Sequence, residues 1–113
     1  MRTGLFLPKE FENSELLVKD MADKHGVKID EDNKKCLCEV NNLDDLNKYT
    51  SIITHPHKNE ECYEKIARII ESKPEIQFYM IAFMAEKRIK IVSEHANLEY
   101  ITENSKEPCF QKL

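Results

Sequence analysis

From Glu75 to Ala96 the chain carries no Gly, Pro, Asn or Asp, so nothing in this stretch marks a turn. Just ahead of it, Ser72-Lys73-Pro74-Glu75 has the form of a capping box, with Ser72 as N-cap and Glu75 three residues on. Phe78, Ile81, Ala85, Ile89, Val92 and Ala96 then recur at steps of three or four, and Ile76, Tyr79, Met80 and Phe83 form a second apolar face. Such a pattern predicts one long helix over 73–96, apolar around most of its circumference and therefore buried at the centre of a domain. The competing reading is a β-hairpin, because 76–84 is a dense apolar run and 87–92 alternates. The missing turn residue near Ala85–Lys87 argues for the helix.

The remaining elements are read around that centre. Pro8 to His25 predicts a first helix, with Gly26 as its stop. Val27-Lys28-Ile29 and Cys36–Val40 read as short extended pieces about the polar turn Asp30–Asn33, which suggests a small β-hairpin near 27–40. Asn42 can cap a helix through Leu43, Leu46, Tyr49 and Ile53, and Asn59 can cap another that carries Cys62, Tyr63, Ile66, Ala67, Ile69 and Ile70. Leu98–Thr102 reads as a short strand or a last helical turn, and 103–113 as a flexible tail broken by Pro108. The expectation is a mainly α protein, a helix-dominated α+β fold, in a single domain over 1–113. With 113 residues and no linker-like stretch, the chain has the length of one domain.

Composition narrows the functions. Gly4 and Gly26 are the only glycines, and two isolated glycines cannot form a phosphate-cradling loop, so P-loop and dinucleotide-fold readings are set aside. The chain has 17 Lys plus Arg against 21 Asp plus Glu, a net charge of -4, which argues against nucleic acid as a partner. The densest positive charge, Lys87, Arg88 and Lys90, reads as a solvated helix face, with a nucleic-acid accessory role as its alternative. No apolar run approaches the roughly 20 residues of a membrane span, and Leu5–Leu7 is too short for a signal-peptide core. The expectation is a cytoplasmic protein with reduced thiols and no membrane partner.

One constellation has the chemistry of a metal site. Cys36-x-Cys38, His55-x-His57 and Cys62 supply sulfur and imidazole donors of the kind zinc takes. Residues two apart on a strand point to the same side, so Cys36 and Cys38 could chelate, although common zinc knuckles use wider spacings. The plainer reading makes Cys62 a buried apolar residue of its helix. Asp30-Glu31-Asp32 lacks the glycine of a calcium loop.

Small size, acidic charge and the absence of a catalytic signature point to a non-enzymatic protein-binding module without a cofactor: an inhibitor, an immunity protein, or a phage or virus accessory protein. Its partner would be another protein with a basic surface, steered by Asp30, Asp32, Asp44, Asp45, Glu60 and Glu61, and a homo-oligomer is also open. His55-Pro56 followed by Glu60 and Tyr63 resembles the segment around His-Pro, then Asp and Tyr, in the helical immunity proteins of nuclease colicins; the paired tyrosines and second proline of that family are absent. The resemblance implies stoichiometric inhibition of a protein partner. The alternative from another class is a small metal-binding or redox protein, with zinc held by Cys36, Cys38, His55, His57 and Cys62.

Overall fold

The computed structural model describes residues 2–7, 12–24, 26–54, 60–82, 96–102 and 109–111. Its centre is a sheet. In chain order the elements are β1 (Thr3–Phe6), α1 (Glu12–Lys24), β2 (Glu31–Asp32), two 3-10 turns (Leu37–Glu39 and Leu43–Leu46), β3 (Ser51–Thr54), α2 (Glu60–Ser72), β4 (Gln77–Ala82), β5 (Leu98–Thr102) and β6 (Cys109–Gln111). The strands lie in the order β2-β1-β3-β4-β5-β6. The first five run parallel, and β6 pairs antiparallel to β5. The chain steps one way from β1 to β2 and the other way to β3, so the order reverses between β1 and β3. This is the doubly wound α/β arrangement.

Side-chain alternation assigns the two faces. Leu5, Ile53 and Tyr79 stand in one row across β1, β3 and β4, and with Leu7 they pack against Val18 and Ala22 of α1. The neighbouring row, Gly4, Ile52, Phe78 and Leu98, lies on the opposite face. There Phe6, Ile52, Phe78, Met80 and Leu98 pack with Cys62, Ile66, Ile69 and Ile70 of α2 and with Leu37, Val40, Leu46 and Tyr49 from the segment between β2 and β3. Strands covered on both faces are apolar at consecutive positions, as Ile52-Ile53 and Phe78-Tyr79-Met80 are.

The helix-dominated expectation is therefore corrected, and with it the central helix over 73–96. Residues 77–82 form β4, hydrogen-bonded to β3 on one side and β5 on the other. Phe78 and Met80 face α2 while Tyr79 faces α1, which is the period of a strand. Ser72 closes α2 instead of capping a new helix: its hydroxyl donates to the carbonyl of Ile69 at 2.9 Å. The following turn is held from a distance. The side-chain amide of Asn97 lies 3.2, 3.0 and 3.0 Å from the carbonyl oxygens of Ile70, Lys73 and Ile76. Ile70 and Lys73 also accept from the backbone N–H groups of Lys73 and Ile76, and a residue more than twenty positions away adds a side-chain donor to the turn. Ala85, Lys87, Arg88, Ile89, Lys90 and Val92 lie outside the described residues.

The hairpin near 27–40 is also replaced. Asp30 and Asn33 donate their backbone N–H groups to Thr3 and Leu5 at 2.9 Å each, and the Asp30 carboxylate accepts from the Thr3 N–H at 2.8 Å. That zipper lays β2 along β1, and Leu37–Glu39 turns away to pack on α2. The helix expected over 42–53 shrinks to Leu43–Leu46; Asn42 does cap it, accepting from the Asp44 N–H at 3.1 Å, but Ile53 belongs to β3. The first helix does form as α1 and ends where Gly26 takes φ +73°. Gly26 donates to Asp23 at 3.1 Å and Val27 to Ala22 at 2.8 Å, the paired bonds of a left-handed helix stop. The stretch read as a tail contains β6, and its other residues lie outside the described ones. Among the described residues no helix is long and apolar enough to cross a membrane.

Candidate metal centre

Three cysteine sulfurs converge on the α2 face. Cys36 precedes the first 3-10 turn in extended conformation, and its neighbour Leu37 is fully buried, which anchors the segment. Cys38 is the second residue of that turn, and Cys62 is the third residue of α2. The expected strand at 36–40 is thus a 3-10 turn, yet the two sulfurs still meet, because Cys36 enters from extended backbone. Cys36 Sγ lies 3.2 Å from Cys38 Sγ and 3.5 Å from Cys62 Sγ. Cys38 and Cys62 stand in disulfide contact, with their Cα atoms 5.6 Å apart.

The topology explains the meeting. Cys36 and Cys38 follow β2, Cys62 follows β3, and β1 lies between those two strands. Both segments leave the carboxyl ends of parallel strands on either side of the point where the strand order reverses. That is where sheets of this kind place their ligand sites.

The three sulfurs lie close enough to share a metal ion. Sulfurs bound to one tetrahedral ion at about 2.3 Å stand roughly 3.8 Å apart. Cys36 therefore needs only a small outward shift, whereas Cys38 and Cys62 must part. Cys36 and Cys62 are buried and Cys38 is half-buried. A depression of about 190 Å³ lined by Cys38, Glu61, Cys62 and Lys65 opens beside them. Three thiolates around a divalent cation carry a net negative charge, and the start of α2 and the Lys65 ammonium both favour negative charge there.

Of the other donors read from sequence, His55 and His57 lie outside the described residues. The acidic set is dispersed. Asp30 is spent on Thr3, and Asp32 accepts from the Lys34 N–H and pairs with Lys34 at 3.0 Å and Lys19 at 3.8 Å. Asp44 and Asp45 are exposed on the second 3-10 turn, Glu60 opens α2, and exposed Glu61 borders the thiol depression. Sequence reasoning missed Lys65, although its position three residues after Cys62 on a helix placed it on the same face. It also missed a network around Glu31, which accepts from the Tyr49 hydroxyl at 2.6 Å and pairs with Arg2 and Lys48 at 3.2 Å each. The Tyr49 hydrogen bond first, then that of Lys48, holds the Glu31 carboxyl below its ordinary value. Burial first, then Glu31, pushes the Tyr49 phenol up.

Comparison with protein-family models, with curated proteins and with solved structures finds no match for this chain.

Proposed function

We propose that this chain is a small non-enzymatic metal-binding protein in which Cys36, Cys38 and Cys62 hold a zinc ion. The observation that carries the reading is the convergence of three sulfurs from two segments that follow parallel strands on either side of β1. Sulfur donors suit zinc and other thiophilic ions, and a tetrahedral site takes a fourth ligand. His57 and His55, five and seven residues before Cys62, are the imidazoles that the sequence offers for it. Bound there, the ion ties the segment after β2 to the start of α2.

The test is metal analysis of reduced protein prepared without chelator, followed by cobalt substitution. The expected result is one equivalent of zinc, and a cobalt form with intense thiolate-to-metal absorption that weakens in Cys36→Ser, Cys38→Ser and Cys62→Ser. Reduced protein that binds neither ion stoichiometrically refutes the reading. His55→Ala and His57→Ala identify the fourth ligand by the change in the cobalt ligand-field bands.

A second reading, stoichiometric binding of a basic protein partner, draws on exposed Asp44, Asp45 and Glu61. It is weakened at Asp30 and Asp32, whose carboxylates already have partners in the fold. Charge reversal at Asp44 and Asp45 that leaves partner capture unchanged removes it.

A further inference from the structure

Resting on the metal reading, we infer that the cluster is redox-gated: hydrogen peroxide joins Cys38 to Cys62 and thereby expels the metal. The three sulfurs are not equivalent. Cys38 and Cys62 have Cα atoms 5.6 Å apart, within the range a disulfide spans without backbone movement. Cys36 has no exposed surface, whereas Cys38 is half-buried and lines the depression with Glu61 and Lys65. A small oxidant entering that depression therefore reaches Cys38 before Cys36. Cys62 sits in the first turn of α2, where the helix favours a sulfur anion.

The chemistry balances with the peroxide as oxidant. The Cys38 thiolate attacks one peroxide oxygen, the O–O bond breaks, and hydroxide leaves to be protonated to water. Cys38 is then a sulfenic acid. The Cys62 thiolate attacks the Cys38 sulfur, an S–S bond forms, the S–O bond breaks, and a second hydroxide becomes water. Two sulfurs lose two electrons in total, one peroxide becomes two waters, and solvent supplies two protons. Only Cys36 of the three thiolates then remains to the ion, which a single sulfur does not retain. A dithiol reductant reverses the change by attacking the accessible Cys38 sulfur and releasing the Cys62 thiolate.

The experiment uses the full chain loaded with zinc, treated with hydrogen peroxide in the presence of a chromogenic zinc chelator, with the disulfide located by peptide mapping. Expected are zinc release in step with a Cys38–Cys62 linkage and recovery of binding after dithiothreitol. Cys38→Ser should slow release about tenfold or more, because the accessible thiolate is gone. Cys36→Ser should still form the Cys38–Cys62 linkage even though it binds zinc less tightly, and this wild-type-independent readout holds if the other variant fails to fold. Zinc-loaded protein that keeps its metal under peroxide overturns the inference and leaves the metal reading standing. Release accompanied by a linkage to Cys36 overturns it too. Reduced protein that never loads zinc refutes the metal reading itself.

Discussion

Gly4→Ala offers a sharp measure of how tightly the α2 face is packed. A Cβ at Gly4 would lie 2.8 Å from Tyr49 Cε1, 2.9 Å from Cζ and 3.1 Å from Cδ1. The ring cannot retreat easily. It meets Phe6 edge-on at 5.8 Å between centroids, its hydroxyl donates to Glu31 at 2.6 Å, and it is only 3% exposed. Overpacking of this kind costs about 1–3 kcal/mol. Against it stands the gain of about 0.5–1 kcal/mol that alanine brings over glycine inside a strand. The clash dominates, so Gly4→Ala should destabilise, by roughly 4–6 °C in Tm for each net kcal/mol lost. Tyr49→Leu removes the two closest atoms, Cε1 and Cζ. In that background Gly4→Ala should be neutral or favourable, giving a coupling energy of about 1–3 kcal/mol. The assay is a four-protein cycle of urea unfolding followed by circular dichroism. If Gly4→Ala costs the same in both backgrounds, the ring is not what forbids a side chain at this position.

Phe78, the second residue of β4, is fully buried, and Phe78→Ala should cost about 3–5 kcal/mol in urea unfolding by the loss of its contacts and the cavity left behind. Asn97→Ala should cost about 0.5–1.5 kcal/mol by removing the side-chain donor shared by the carbonyls of Ile70, Lys73 and Ile76, and amide exchange should quicken in the last turn of α2. Hydrogen bonds from Tyr49 and Lys48 hold the Glu31 carboxyl below its ordinary value in the folded chain, so the folded state favours its ionised form. The resulting stability is present above the unfolded value and fades as pH falls through the folded one. Glu31→Gln should therefore lose stability near neutrality and show a flatter profile in acid, measured by urea midpoints from neutral pH downward.

Local signals were legible where local chemistry decides the outcome. Gly26 stops α1 because the left-handed backbone there needs no side chain, and Asn42 caps its turn through its own side chain. The spacing of Cys62, Ile66, Ile69 and Ile70 gave α2 directly. What was not legible is the identity of 77–82. Consecutive apolar residues satisfy a helical stripe and a doubly buried strand equally, and only the neighbouring β3 and β5 decide between them. The capping-box reading of Ser72 failed for the same reason. Asn97, which no local window contains, adds a donor to the carbonyls of Ile70 and Lys73 where α2 ends. At the site, the Cys36, Cys38 and Cys62 grouping was visible as a donor set, but its geometry depended on two strands lying on either side of β1.

The glycine count shows how a correct exclusion can be drawn too widely. Two glycines do exclude a glycine-rich phosphate loop, and the sequence after β1 reads Leu7-Pro8-Lys9-Glu10-Phe11, without one. They do not exclude the doubly wound sheet on which such loops are often built, because parallel strands need apolar faces and crossovers, not glycine. The carboxyl ends of its strands are left available for other chemistry. Where a dinucleotide fold would present backbone amides to phosphate, this chain brings sulfur from beyond β2 and beyond β3 together. The architecture supplies the position, and the residue types at that position decide what it can bind.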